Sequence, residues 1–188
     1  MGLREQTRAA VRAAIAERAL ELFDARGFDA TSVDDVAAAA GISGRSFHRY
    51  FPAKEDAVIG DSAAAGHLVA ETLAARPAGE SPWRAMRAAL QPIVELSQAN
   101  AERTVRVMRV VNGSAALRAR HLEKHLMWSR LLTPIMRARL GDGPGGDVPA
   151  QAVVFAALSC LDAAYAGWDG TGAFGDVLDL AFAGVSAG

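Results

Sequence analysis

The chain of 188 residues contains a single cysteine, Cys160, and only 6% of its residues are aromatic. One thiol excludes an intramolecular disulfide framework and favours a reducing cytoplasm. No uninterrupted run of about 18 apolar residues occurs, and the first residues lack the apolar stretch of a signal peptide, so we expect a cytoplasmic protein with no membrane partner. β-Branched and aromatic residues never alternate in short runs bounded by turns, which favours an all-α fold over strands.

The net charge is close to zero but unevenly distributed. The formal value at pH 7 is −1. Residues 1–60 carry −1 and residues 61–80 carry −2, whereas residues 81–140 carry +8 and residues 141–188 carry −6. A nucleic-acid partner therefore cannot be inferred from bulk charge. Evidence for one has to come from the positions of individual cationic side chains.

Hydrophobic spacing predicts about nine helices, of which the first is the clearest. From Thr7 to Arg26, apolar residues recur at steps of three and four with charged residues between them, which is the pattern of an amphipathic helix. Gly27 is suited to end that helix, because glycine readily adopts the backbone conformation found at many helix ends. The other helices are predicted over residues 33–40, 44–51, 53–75, 83–98, 102–111, 115–140, 149–168 and 174–185.

Two short helices joined by a tight turn are predicted after the first helix. Thr31-Ser32 and Asp34-Asp35 indicate a helix start, because hydroxyl groups cap free amides and acids favour the positive end of the helix dipole. Gly41-Ile42-Ser43 indicates the turn: glycine permits the sharp bend, isoleucine enters the core and serine caps the next helix. Pro52 ends that next helix, since proline cannot continue it.

The second short helix has two chemically distinct sides. Phe47 and Phe51 are four residues apart and face the core with Ile42. The polar side chains point outward or flank that face, where they can donate hydrogen bonds to guanine edges and phosphates. They are Arg45, Ser46, His48 and Arg49. This arrangement is typical of a helix-turn-helix, whose second helix enters the major groove of DNA.

The stretch from Ala19 to Asp56, ALELFDARGFDATSVDDVAAAAGISGRSFHRYFPAKED, resembles the amino-terminal domain of the tetracycline-repressor (TetR) family of transcriptional regulators. The A-x-x-L-F-x-x-x-G-F end of the first helix, the A-G-I-S turn, the F-H-R-Y-F run and the P-x-K-E-D start of the fourth helix occur in the family's order. The resemblance implies a ligand-responsive repressor, not an enzyme, that binds a palindromic double-stranded DNA operator as a homodimer. It implies no cofactor.

The resemblance also implies a division of the chain and a set of DNA contacts. Residues 1–56 would form the helix-turn-helix domain, the fourth helix at about 53–75 would connect it, and residues 76–188 would bind the effector and dimerise. Arg45 and Arg49 are the main candidates for base edges, with phosphate contact equally open for Arg49, and Arg4 and Arg8 would add contacts from the leading arm. The predicted DNA-binding residues are Thr31, Ser32, Ser43, Gly44, Arg45, Ser46, His48, Arg49, Tyr50 and Lys54.

Residues 76–188 carry weaker signals for a small-molecule effector. Methionines and tryptophans at helical spacing suit an apolar ligand, and they are equally common in plain cores. The arginine-rich segment 81–140 has two readings: solvated faces balanced by the acidic segment 141–188, or a site for an anionic, amphipathic effector. The run R-Y-F-P-x-K-E-D-x-V-x-G-D through Asp61 resembles a branch with an acyl-CoA-like ligand. The predicted pocket residues are Trp83, Met86, Leu90, Arg106, Met108, Val111, Met127, Trp128 and Leu131.

The last two helices are the predicted dimer interface, because the family pairs them into a four-helix bundle. The helix over 149–168 is apolar nearly all round, as expected for a helix buried between its own domain and a partner, although a helix buried in a monomer looks the same. The predicted interface residues are Phe155, Leu158, Leu161, Asp162, Tyr165, Leu178 and Phe182.

Catalytic and metal sites have little support. The glycine-rich segment 141–147 lacks the Gly-Lys-Ser/Thr of a phosphate loop and is predicted to be a connector. His121 and His125 have the i, i+4 spacing of zinc ligands, but no third ligand is evident, so we predict no metal site. The alternative from a different class is a helical small-molecule-binding protein that does not read DNA.

Overall fold

The computed structural model describes residues 2–141 and 143–186, and all regular secondary structure in this part of the chain is α-helical. The predicted all-α fold class is therefore confirmed. The chain divides into two compact units. The helices are α1 (Leu3–Arg26), α2 (Val33–Ala39), α3 (Gly44–Tyr50), α4 (Asp56–Ile59), α5 (Ser62–Ala74), α6 (Pro82–Ala89), α7 (Gln91–Ala99), α8 (Ala101–Gly113), α9 (Ala115–Leu140), α10 (Val148–Gly167) and α11 (Phe174–Ser186).

The N-terminal unit comprises the residues up to Asp61 together with Arg106–His121. Its core joins the apolar sides of α1, α2 and α3, where Phe23 and Phe47 are at most 2% exposed. Val111 and Leu117 of the later segment are buried in the same core. This packing holds the two short helices against the long first helix.

The C-terminal unit comprises Ser62–Val105 and the residues from Leu122 onward. Its core includes Met86, Leu90, Trp128 and Leu132, all at most 2% exposed. The indole Nε1 of Trp128 donates a hydrogen bond of 2.7 Å to the carbonyl oxygen of Ser62, which ties α9 to the start of α5.

Two predicted helices are each interrupted, so the described residues form eleven helices where hydrophobic spacing predicts about nine. The predicted helix 53–75 is divided into α4 and α5 at Gly60, whose φ of 74° is incompatible with a right-handed helix. The predicted helix 83–98 is divided into α6 and α7. Pro92 lies near the start of α7, and its ring crowds the carbonyl of the preceding turn.

The segment Arg106–His121 groups with the N-terminal unit, although it falls within the region 76–188 that we assigned to effector binding. Its apolar residues Val110, Val111 and Leu117 complete the core beneath α1. Helical spacing alone does not reveal which core an amphipathic helix joins.

Helix α10 is long and apolar enough to cross a membrane by length and composition. Its apolar residues are nevertheless used in the core of the C-terminal unit, where Val154, Leu158 and Leu161 are at most 1% exposed. Core helices of soluble proteins commonly have this composition.

Candidate nucleic-acid interface and ligand-binding regions

The turn between α2 and α3 is fixed by backbone geometry and by a cap. Gly41 has a φ of 68°, which glycine adopts without steric cost. The amide of Ile42 donates to the carbonyl of Ala37 over 2.9 Å. The hydroxyl oxygen of Ser43 accepts a hydrogen bond of 3.2 Å from the amide of Ser46, which caps α3. These bonds set the direction in which α3 leaves the turn.

Helix α3 has one buried and one exposed side. Phe47 and Phe51 are 0% and 1% exposed, and their ring centroids are 5.3 Å apart. Arg45, His48 and Arg49 are exposed, whereas Gly44, Ser46 and Tyr50 are half-buried. Three side chains with hydrogen-bond donors are thus presented by a short helix whose other side is anchored in the core.

Gly44, the first residue of α3, lies close to α2. A Cβ atom there would be 2.7 Å from the carboxylate Oδ1 of Asp34. The missing side chain therefore permits the close approach of the two helices at the turn.

A concave surface beside α3 gathers several cationic groups. Arg4, Thr7, Arg8, Val11, Arg49 and Tyr50 line a groove of about 310 Å³. The guanidinium of Arg8 donates to the carbonyl of Arg49 over 3.4 Å, and the guanidinium of Arg49 lies 5.6 Å from the centroid of the Tyr50 ring. Three guanidinium groups and a phenol thus line one surface, and such groups are common donors to phosphate oxygens.

The two hydroxyl residues before α2 have different environments. Thr31 is 1% exposed, and its hydroxyl donates to the carbonyl of Gly27 over 2.8 Å, so its side chain is a structural group. Ser32 is exposed and forms a capping box with Asp35. Hydrogen bonds from the Ser32 hydroxyl and amide lower the pKa of the Asp35 carboxyl.

Lys54 connects the end of the first helix to the start of the second. Its Nζ donates hydrogen bonds of 2.8 Å to the carbonyl oxygens of Phe28 and Thr31, and it lies 4.0 Å from the centroid of the Phe28 ring. An ammonium group has three donors, and these two hydrogen bonds use two of them. A charge at this position was evident from the sequence, but its role in joining α1 to α2 was not.

The charge of the N-terminal unit differs from that of its first sixty residues. Arg106 lies 3.4 Å from Glu17 and 3.9 Å from Asp24, and Arg120 lies 2.8 Å from Asp56. With the segment Arg106–His121 included, the unit holds 12 basic and 10 acidic side chains, which gives a net charge of +2. Part of the arginine excess in residues 81–140 therefore neutralises acids of the N-terminal unit, which supports the structural reading for these arginines.

The predicted effector-pocket residues are not all brought into one unit. Arg106, Met108 and Val111 belong to the N-terminal unit, where Val111 is 1% exposed in the core. The others belong to the C-terminal unit, and Met86 and Leu90 are fully buried there. These others are Trp83, Met86, Leu90, Met127, Trp128 and Leu131.

Most predicted dimer residues lie inside the core of the C-terminal unit. Exposure is at most 5% for Leu158, Leu161, Leu178 and Phe182, whereas Phe155 is 40% exposed. Asp162 and Tyr165 are half-buried, and the Tyr165 hydroxyl shares a hydrogen bond of 2.9 Å with Ser97. The exposed residues of these two helices include six small or apolar ones, Ala152, Phe155, Ser159, Ala163, Leu180 and Gly184, which we call the α10–α11 stripe.

A polar cluster of the C-terminal unit was not anticipated. His125 is 6% exposed, and its Nδ1 lies 3.3 Å from the carboxylate Oδ2 of Asp162. The Nζ of Lys124 lies 5.1 Å from the centroid of the Trp128 ring. Burial lowers the pKa of Lys124 to about 8, although the charge of Asp162 acts in the opposite direction. No local sequence pattern predicts this cluster, because it depends on the packing of α9 against α10.

Family models match both parts of the chain. Residues 15–58 match the model of bacterial regulatory proteins of the tetR family. Residues 80–188 match the model of the MftR C-terminal domain. The first match covers α2, α3 and the connecting turn, which carry the exposed donors described above.

Two curated relatives are transcriptional regulators, a class without enzymatic activity. TcmR of Streptomyces glaucescens, an HTH-type transcriptional regulator, is 31% identical over 146 residues, which cover 74% of this chain and 65% of TcmR. MftR of Mycobacterium tuberculosis, named for the regulation of mycofactocin biosynthesis, is 32% identical over 178 residues, which cover 93% of this chain and 88% of MftR. The chain thus spans slightly less than two thirds of TcmR and most of MftR.

Solved structures share the fold. PfmR of Thermus thermophilus superimposes with a TM-score of 0.56 at 22% identity, covering 93% of this chain and 97% of PfmR. FadR of Thermus thermophilus, solved in complex with lauroyl-CoA, has a TM-score of 0.53 at 19% identity, covering 92% of this chain and 91% of FadR.

Proposed function

Because the chain belongs to the TetR family of bacterial regulatory proteins, we propose that it is a ligand-responsive repressor that binds a near-palindromic DNA operator as a homodimer. The observation that carries the DNA-binding role is the sidedness of α3, which is anchored by Phe47 and Phe51 and exposes Arg45, His48 and Arg49. A helix held in this way can enter the major groove without distortion of its own domain.

The DNA contacts divide into base reading and phosphate binding. Arg45 is exposed on the first turn of α3, and we assign it to a base edge, since arginine pairs with guanine through two hydrogen bonds. Arg49 and Tyr50 share the cationic groove with Arg4 and Arg8, and we assign these four to phosphates. Ser32, Ser43, Gly44, Ser46, His48 and the third donor of Lys54 remain assigned to the DNA-facing surface. We withdraw the side chain of Thr31 from that set, because it is buried.

We assign the dimer interface to the α10–α11 stripe, in place of the buried residues Leu158, Leu161, Leu178 and Phe182. Phe155 is 40% exposed and Leu180 is 73% exposed, and burial of such side chains against a second copy is favourable. Ala152, Ser159, Ala163 and Gly184 are small, which lets helices approach closely. A dimer with its two-fold axis through this stripe would bind an operator that has two symmetry-related half-sites.

We propose an amphipathic anion such as an acyl-CoA as the effector. The fold neighbour FadR was solved with lauroyl-CoA, and the apolar residues of the C-terminal unit suit an acyl chain. The effector would release DNA by preferring one of two conformations, since a ligand shifts an equilibrium only by its differential affinity. Thermal-shift measurements with lauroyl-CoA and with neutral hydrophobes test this effector class, and stabilisation by the neutral compounds alone would rule it out.

The full-length similarity to MftR supports a proposal for the regulated genes. We propose that this regulator acts on biosynthetic genes of the mycofactocin type and works in the cytoplasm. Selection of bound duplexes from random DNA, followed by a search of the source genome, tests this assignment. The proposal requires a two-fold symmetric selected sequence upstream of such genes; an asymmetric sequence would contradict the dimeric mode.

The alternative function is small-molecule binding without DNA reading. The exposed arginines of α3 favour the regulator, because a carrier protein has no use for them at this position. The same selection distinguishes the two functions: a carrier would enrich no sequence.

A further inference from the structure

A groove on the C-terminal unit has the size and chemistry of a ligand site, and the function proposed above assigns no ligand to it. It runs between α6 and the second half of α11 and has a volume of about 530 Å³. Pockets for small molecules are typically about 300–1,000 Å³. Its lining includes Trp83, Arg84, Arg87, Ala88 and Phe182, so apolar and cationic groups face the same space.

Trp83 packs against a second aromatic ring in this groove. The ring centroids of Trp83 and Phe182 are 4.5 Å apart, with an angle of 37° between the planes. The indole Nε1 of Trp83 donates to the carbonyl oxygen of Phe182 over 3.4 Å, which fixes the orientation of the indole. Trp83 is half-buried, so part of the ring remains available to a planar group.

The arginines of the groove differ in how they are engaged. Arg87 donates to the carboxylate of Asp179, to the side chain of Gln91 and to the carbonyl of Gly175. Arg76 is bound to Glu80 through two hydrogen bonds of 2.7 and 2.8 Å.

Arg84 is available for a ligand. It is exposed, and its guanidinium forms no hydrogen bond or salt bridge within residues 2–141 and 143–186. It acts on Glu80 only through its charge, which lowers the pKa of that carboxyl together with the closer Arg76. Both acids of the groove are already paired, so the lining presents one uncompensated positive charge.

We propose that this groove binds a planar aromatic anion, with its ring on the exposed part of Trp83, which packs against Phe182, and its anionic group on Arg84. A guanidinium binds carboxylates, sulfonates and phosphates through charge-assisted hydrogen bonds. Two sources have this chemistry: a free aromatic acid and the adenine nucleotide portion of a larger ligand. The first would be an additional effector, and the second would place the nucleotide end of an acyl-CoA-like effector in the groove.

Calorimetric titrations of the full-length protein in the absence of DNA test the proposal. The probes are 2-naphthoate and AMP, each compared with its neutral counterpart, 2-naphthalenemethanol or adenosine. We expect at least one anion to bind about tenfold more tightly than its neutral counterpart, in keeping with one charge-assisted contact. The anion that binds identifies the source. Failure of both anions to bind more tightly than the neutral compounds overturns the proposal.

Two matched pairs of variants locate the binding. Arg84→Ala should abolish the preference for the anion, whereas Arg130→Ala, which removes an exposed arginine of α9, should leave it unchanged. Ala88→Leu should fill the groove and weaken the binding of each anion and of its neutral counterpart. Ala138→Leu on α9 should leave the binding of both compounds unchanged. Equal effects within each pair would show that the anion binds elsewhere and would contradict the proposal. Because no DNA is present, this result is independent of the proposed repressor function.

Discussion

Arg45 and Arg49 belong to the same helix but have different neighbours. Arg45 is exposed on the first turn of α3 and does not line the groove. Arg49 lines the groove with Arg4 and Arg8, and its guanidinium lies beside the Tyr50 ring. Sequence alone left base and phosphate contact open for Arg49, because that choice depends on where α1 lies.

Substitution of each arginine should therefore have a different effect on DNA binding. Arg49→Ala should weaken all duplexes by a similar factor and reduce the slope of log affinity against log salt by about 1. Arg45→Ala should instead lower the preference for one base pair, by about 1–3 kcal/mol. Binding isotherms with a selected duplex and its single-base variants, at several salt concentrations, measure both effects. An unchanged salt slope for Arg49→Ala would contradict the phosphate assignment.

Lys124 should make stability depend on pH in the alkaline range. Burial lowers its pKa from 10.5 to about 8, so the unfolded chain binds more protons than the folded chain between these values. The free energy of unfolding should then rise with pH across this window, by at most about 1.4 kcal/mol per pH unit. Urea unfolding at pH 7.5 and pH 9.5, compared with Lys124→Met, isolates this contribution. Identical pH dependence in both proteins would contradict it.

Helices α5 and α9 approach closely at Gly66. A Cβ atom there would lie 2.7 Å from Cδ1 and 2.8 Å from Nε1 of Trp128, which is 2% exposed and cannot move away freely. Gly66→Ala should lower the free energy of unfolding by about 1–3 kcal/mol, as overpacking of a core does. Gly113→Ala is the matched control, since its Cβ would meet nothing within 4 Å. Denaturant unfolding of both variants measures the difference, and equal stability would show that the contact can relax.

If the α10–α11 stripe is the dimer interface, a charge placed in it should change the oligomeric state. Ala163 is exposed on α10, so Ala163→Arg should leave the fold of the subunit intact and place an uncompensated charge in the proposed interface. We expect a monomer with helical content unchanged, whereas Ala138→Arg on the exposed side of α9 should leave the oligomeric state unaltered. Sedimentation velocity and circular dichroism give the two readouts. A dimeric Ala163→Arg protein would place the interface elsewhere.

Local sequence patterns predicted the helices well where the sequence contains clear capping residues and turn glycines. Ser32, Gly41 and Ser43 mark the helix-turn-helix in the sequence, and the structure shows the corresponding caps and turn. The interruptions at Gly60 and Pro92 were weaker signals, because glycine and proline each occur near helix starts as well as at breaks.

Which side of α10 faces the core of its own subunit was harder to predict. A helix that is apolar nearly all round does not show which side is turned to its own core. Four of the seven predicted dimer residues are consequently buried in the subunit, and the prediction left out the exposed small residues Ser159 and Ala163. The sequence feature that could have indicated the partner-facing side is the spacing of small residues at steps of three and four.

At the scale of the whole molecule, charge was misleading until the fold was known. The first sixty residues carry −1, whereas the folded N-terminal unit carries +2, because Arg106–His121 joins it. A pairing between segments so distant in sequence has no local signature. The family resemblance identified the DNA-binding role in spite of the charge, since it rests on the residues of the turn and of α3.

The most direct test of this account is the affinity of the full-length protein for its selected duplex. Fluorescence anisotropy would compare the wild-type protein with Arg45→Ala, Tyr50→Ala and the control Arg130→Ala at two salt concentrations. We predict salt-sensitive binding that Arg45→Ala and Tyr50→Ala each weaken about tenfold or more, with Arg130→Ala unchanged. Equal affinity of all four proteins would contradict the assignment of α3 as the DNA reader.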